Sequence, residues 1–234
     1  MIESLPILLV PGLLASPRLY APQLPMLWRF GPVMVADTTR DTSIADIARR
    51  ILAAAPPQFV LIGLSMGGYI VFEILRQAPE RVLRVGLLDT SARPETPETT
   101  ALRRQQIEQV EHGGFAEVVA AFYPRVVHPS RLGDASLRQT VADMAADVGP
   151  EAFIRQQTAI IARPDSRPGL AAIRCSTLVV VGDGDALTPP EYADEIAAAI
   201  PGARRATIPD CGHISTLERP QAVSAVLEAW LRGG

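Results

Sequence analysis

Short apolar runs alternate with helix-period segments along most of the chain. The runs at 7–10 (Ile7-Leu8-Leu9-Val10), 33–36, 59–62 (Phe59-Val60-Leu61-Ile62), 85–88, 177–181 and 206–208 are apolar at consecutive positions save Thr177 and Thr207, the pattern of strands buried on both faces. Segments 44–54, 69–77, 191–200 and 221–231 place apolar residues three and four apart, which predicts amphipathic helices. Ser43 stands where a helix N-cap belongs, Pro11-Gly12 closes the first run and Pro79 stops the helix at 69–77. Strands of this kind, separated by helices, predict an α/β fold with a mostly parallel sheet and helices on both faces.

One stretch breaks the alternation. Between about 93 and 174 no convincing strand occurs. Helical patterns fill it at 99–111, 115–122, 137–146 and 151–161, punctuated by Gly113-Gly114, Pro124, Pro129, Gly149-Pro150 and a proline-rich run at 164–168. A block of helices between two strands of one sheet is an insertion. The expected organisation is a core formed by residues 1–92 and 175–234, with 93–174 as an inserted helical cap.

Composition narrows the chemistry. The 234 residues are 48% hydrophobic and 20% charged, with a net charge of -3, which fits a folded chain and not nucleic acid or an anionic membrane surface as a main partner. All 22 basic residues are Arg. The lack of lysine excludes Schiff-base chemistry, a pyridoxal-phosphate anchor and a P-loop. Three His and two Cys argue against a zinc or iron–sulfur site, so neither metal nor cofactor is expected. The N-terminus lacks a basic region before an apolar run, and no apolar stretch approaches the length of a membrane helix, so a cytoplasmic location is expected, with Cys175 and Cys211 reduced. The two cysteines fall at opposite ends of a parallel sheet, roughly 15–20 Å apart, too far for a disulfide.

The strongest chemical signal is Gly63-Leu64-Ser65-Met66-Gly67, a G-x-S-x-G match. Chance would supply that pattern in about one of twenty chains of this composition, so context decides. Here it follows an apolar strand and precedes a helix, the strand–turn–helix setting in which a serine hydroxyl is held above a sheet. Such a turn is strained and crowded, which explains Gly63 and Gly67. The helix that follows directs its positive end at the site.

With these residues the chain resembles the α/β-hydrolase family over nearly its whole length, near the bacterial carboxylesterases, enol-lactonases and carrier-ester hydrolases. The landmarks are Val10-Pro11-Gly12-Leu13, the turn at Gly63 to Gly67, Gly182-Asp183-Gly184-Asp185 with Pro189, and Gly212-His213 with Glu218 and Pro220. The chain looks like a compact version that begins at the family's third strand. The resemblance implies a serine nucleophile, Ser65, activated by His213, with an aspartate to orient the imidazole. Asp185 occupies the family's usual acid position. Asp89, at the end of the fourth strand, is a rival, because some relatives move the acid there, and Asp183 is a third candidate. Main-chain N–H groups of Leu13 and Met66 would form the oxyanion hole. His112 and His128 read as surface or packing residues, Cys211 as apolar filler, and Glu218 with Pro220 as a helix start.

The implied reaction is hydrolysis of a small-molecule carboxylic ester of short to medium acyl chain through an acyl-enzyme. The same residues would suit an enol-lactone, a C–C bond, a peracid or an aliphatic polyester, and the fold could also serve as a non-catalytic ligand receptor. Ten Arg and ten Asp or Glu between 93 and 174 make the insertion formally neutral, which favours a neutral ester. Monomer and homo-oligomer both stay open.

Overall fold

In the computed structural model, residues 5–233 are described; residues 1–4, on which the reading of a missing leader partly rests, lie outside them. Six strands form one sheet: β1 (Ile7–Val10), β2 (Val33–Val35), β3 (Phe59–Leu64), β4 (Val82–Leu88), β5 (Ser176–Gly182) and β6 (Arg204–Ile208). Their order is β2-β1-β3-β4-β5-β6 and every pairing is parallel. β3 is buried at all six positions, as its run of apolar residues requires at the centre of a sheet covered on both sides.

The helices are α1 (Leu24–Leu27), α2 (Ile44–Ala54), α3 (Met66–Gln77), α4 (Pro97–Glu111), α5 (Phe115–Val126), α6 (Ala135–Val148), α7 (Pro150–Ile161), α8 (Pro190–Ala199), α9 (Ser215–Glu218) and α10 (Pro220–Leu231). α2, α3 and α8 bury their apolar stripes against one face of the sheet, while α1, α10 and parts of α5 and α6 cover the other. Ser43 caps α2 by accepting the Asp46 N–H at 3.1 Å, a contribution of about 1 kcal/mol.

α4 to α7 lie between β4 and β5. They enclose a small apolar cluster of Leu14, Val110, Val118, Ala145 and Phe153, yet Tyr123, Val126 and Met144 belong to the core of one sheet face and Ala159 and Ile160 to the other. The block is therefore welded to the sheet on both sides. No helix among the described residues is long and apolar enough to cross a membrane.

Several boundaries differ from the periodicity. β4 begins three residues early because Arg84, half-buried in the strand, gives its charge an acceptor at the Trp230 carbonyl, 2.7 Å away. β6 begins at Arg204 because an edge strand tolerates exposed charge. α4 starts at Pro97, where Thr96 forms a capping box with Thr99. α5 runs through Pro124 to Val126; the carbonyl deprived of a donor belongs to Ala120, an exposed residue. The segment 17–27, where prolines mask any period, forms a 3-10 turn (Pro17–Gln23) followed by α1.

Candidate active site

β3 ends at Leu64 and α3 begins at Met66, so the chain turns through one residue, Ser65. That residue adopts φ 58° and ψ -118°, a positive-φ conformation outside the regions that residues with a Cβ favour and a local cost of about 1–3 kcal/mol. The surroundings enforce it. Ser65 donates its N–H to the Leu88 carbonyl at 3.0 Å, and its own carbonyl accepts the Thr90 hydroxyl at 2.7 Å. A Cβ on Gly63 would lie 2.5 Å from the Gly67 carbonyl oxygen, and one on Gly67 would overlap the Val10 carbonyl. The turn closes only because both positions are bare. Gly68 is constrained likewise by Thr90.

His213 lies in the loop after β6, buried, with its Nε2 2.8 Å from Ser65 Oγ and its Nδ1 2.8 Å from Asp185 Oδ2. An ionised carboxylate only accepts, so Nδ1 carries the ring proton and Nε2 is free to accept from the hydroxyl. Asp185 is itself fixed: Oδ1 accepts the N–H groups of Leu187 and Thr188 at 2.9 Å, and Oδ2 the Thr188 hydroxyl at 2.7 Å. Burial opposes its charge, but His213 and the Thr188 donors prevail and hold it below the usual carboxylate range. Burial also opposes charge on His213, yet Asp185, with Asp89 and Glu218, raises the imidazole above its ordinary value.

The two rival aspartates sit elsewhere in the network. Asp183 Oδ1 accepts the Cys211 N–H at 3.1 Å, tying the acid loop to the histidine loop. Asp89 is fully buried at the end of β4, where burial and the nearby Asp185 push its carboxyl up to about 8. Of the three candidates, Asp185 is the one hydrogen-bonded to the imidazole. His112 is exposed and contacts the Glu108 carbonyl, and His128 pairs with Ser130. Cys175 and Cys211 are both free.

Glu218 does more than begin a helix. Its buried carboxylate accepts the Gly212 N–H at 2.9 Å and the His128 N–H at 2.7 Å, while the His213 N–H reaches the Val126 carbonyl at 2.9 Å. The histidine loop is thereby pinned to the end of α5. Thr188 and Glu218 carry no motif; their partners are found only in space, Glu218 and His128 being 90 positions apart.

Leu13 and Met66 flank the serine. The Met66 N–H opens α3, and the Leu13 N–H faces no acceptor among the described residues, whereas the next amide, Leu14, donates to Gln156 Oε1 at 3.2 Å. Ser65 and His213 open into a cavity of about 130 Å³ walled by residues of α3, α4, α5 and α7. An apolar niche of about 20 Å³ lies on the other side of Leu13 and Phe122. A much larger groove, about 770 Å³ and lined by Phe72, Leu170 and Cys175 among others, contains none of Ser65, Asp185 and His213; chemistry and not size locates the site. A hydroxyl, an imidazole and a buried carboxylate in series can move a proton off the hydroxyl and hold the resulting imidazolium.

Comparisons with known proteins agree on the family. A family model described as the alpha/beta hydrolase family matches residues 5–226. The chain is 32% identical over 196 residues to a pimeloyl-[acyl-carrier protein] methyl ester esterase from Aromatoleum aromaticum, covering 78% of each. Among solved structures, it is similar to a thermophilic esterase from Thermogutta terrifontis (TM-score 0.88, 30% identity, 98% of this chain and 90% of that one). It is also similar to the enol-lactonase from Burkholderia xenovorans LB400 (TM-score 0.90, 25% identity, 98% and 92%).

Proposed function

The chain belongs to the alpha/beta hydrolase family, and on that premise we propose that it is a serine hydrolase of small carboxylic esters with short to medium acyl chains. The observation that carries this reading is the continuous chain from Ser65 Oγ through His213 to Asp185, with 2.8 Å at each link, on a serine held at positive φ. A strained turn that aims a hydroxyl at an imidazole is the arrangement that nucleophilic catalysis by serine requires.

In this mechanism His213 Nε2 takes the Ser65 proton as Oγ attacks the ester carbonyl carbon. Asp185 stabilises the imidazolium and keeps its orientation. The carbonyl oxygen, now negative, receives the N–H groups of Leu13 and Met66, the latter backed by the positive end of α3. The imidazolium returns its proton to the departing alkoxide, leaving an acyl-Ser65 that water hydrolyses by the same steps. Residues 93–174 act as the cap that bounds the acyl pocket. A cavity near 150 Å³ admits benzene, so about 130 Å³ suits an acyl group of about five or six heavy atoms. The likeness to an enol-lactonase favours one second reading, ring-opening of a small lactone, which uses the same acyl transfer.

A chromogenic short-chain ester, assayed with wild type and Ser65→Ala, tests the proposal. Loss of about 10⁵–10⁶ in turnover is expected, together with labelling of Ser65 by a fluorophosphonate. Full activity in the variant, or labelling elsewhere, overturns it.

A further inference from the structure

We propose that the substrate carries a carboxylate on its non-reacting arm and that Arg103 receives it. The proposal deepens the ester-hydrolysis reading and rests on it.

The charge balance of 93–174 suggested a neutral ester, but the charges are not spread evenly. The cavity that holds Ser65 and His213 is lined by two guanidinium groups, Arg103 of α4 and Arg125 of α5, and by no Asp or Glu. Arg103 is not a surface residue leaning inward. Its Nε lies 3.1 Å from Glu95 Oε1, and Glu95 also pairs with Arg163. The side chains are 22% (Arg103), 4% (Glu95) and 9% (Arg163) exposed. One buried carboxylate thus serves two arginines, and the group keeps a surplus positive charge in a region poor in water. Such a surplus is unfavourable until an anion joins it.

The donors around that charge are also unspent. Arg103 Nη1 donates to Gln157 Oε1 at 2.7 Å; no other hydrogen bond leaves its guanidinium among the described residues, and the buried Nε contacts Glu95 without hydrogen-bond geometry. Gln157 Nε2 in turn donates to Gln106 Oε1 at 2.7 Å, which fixes that amide with its own NH₂ group uncommitted. The wall therefore offers a planar fork and an amide donor, the complement of a carboxylate. On the far side of Ser65 the niche of about 20 Å³ is apolar and admits only a small alkyl group. Together the two spaces fit a methyl or ethyl monoester of a four- or five-carbon dicarboxylic acid, its free carboxylate on Arg103.

The decisive comparison is kcat/KM for monomethyl glutarate against methyl 4-carbamoylbutanoate, equal in shape but neutral, followed by methanol release. For wild type at low salt the ratio should be about tenfold or more, expressed mainly in KM, and should shrink in high salt because the interaction is ionic. Arg103→Gln should bring the ratio close to one, and Arg103→Lys, which keeps the charge but loses the fork, to an intermediate value. A purely structural Arg103 would lower both substrates together and leave the ratio untouched. If Arg103→Gln does not fold, wild type still decides: glutarate should compete with p-nitrophenyl acetate and glutaramide should not. A wild-type ratio of one or less, with active enzyme, overturns the carboxylate and spares the hydrolase reading. No turnover of any ester, p-nitrophenyl acetate included, overturns the hydrolase reading. Glutarate then reads the Arg103 site directly: it should raise the melting temperature of wild type, and by less that of Arg103→Lys, and no shift in either overturns the site.

Discussion

Asp89 and Ser215 form a closed pair behind the imidazole: the Ser215 hydroxyl donates to Asp89 Oδ2 at 2.5 Å, while Asp89 Oδ1 accepts the Gly182 N–H at 3.0 Å. Both oxygens of this carboxyl are occupied, and neither reaches His213. Asp185 faces the ring directly. Asp185→Asn should therefore lower kcat by about 10⁴, the scale of a wrongly held imidazole tautomer. Asp89→Asn should cost far less, because burial already favours an uncharged group at that position. Steady-state kinetics of the two variants on one chromogenic ester check this; a dead Asp89→Asn beside an active Asp185→Asn would reverse the assignment.

The imidazole must be neutral to accept the Ser65 proton. Because the carboxylates around it raise His213 above its ordinary 6.5, the neutral form is reached only at higher pH. The acid limb of kcat/KM should have its midpoint above 6.5, with activity lost as pH falls through it. Titration of the His213 ring protons by NMR in Ser65→Ala should give a value on the same side of 6.5, and Asp185→Asn should move it down. A midpoint below 6.5 in the intact protein contradicts the geometry.

Crowding at the serine turn predicts a contrast between two glycines. A methyl on Gly67 overlaps the Val10 carbonyl, which belongs to backbone and cannot swing aside, whereas Gly133 has nothing within 4 Å. Gly67→Ala should cost about 2 kcal/mol or more, and Gly133→Ala should stay within about 0.5 kcal/mol of wild type. Urea denaturation of both variants measures the difference.

A cavity of about 130 Å³ should impose an optimum in acyl length. Each methylene contributes about 0.8 kcal/mol while space remains, so kcat/KM for p-nitrophenyl esters should climb over a few carbons and then drop. A steady rise to long chains would mean that the helical wall yields.

Much of this arrangement is visible in the linear chain. Gly63, Ser65 and Gly67 announce themselves because one strained residue forces its neighbours to be bare, and strands apolar on both faces can only be internal. Other parts depend on partners far apart in sequence. The choice among Asp89, Asp183 and Asp185 is a matter of which carboxyl faces the ring, and spacing alone leaves all three open. Thr188 and Glu218 act through hydrogen bonds that no periodicity encodes. Net charge is blind in the same way: a formally neutral insertion places Arg103 and Arg125 on the cavity wall, because neutrality of a segment says nothing about which side chains turn inward.

The main-chain bond from His213 to the Val126 carbonyl, with the Glu218 bridge to His128 beside it, carries a mechanical consequence. A door hung on the same post as the lock cannot swing without disturbing the bolt. If α5 moved as a rigid body to admit substrate, it would drag the imidazole out of line with Ser65. An opening of the cavity that spares the catalytic geometry would therefore have to leave α5 where it stands, with the imidazole still 2.8 Å from Ser65 Oγ.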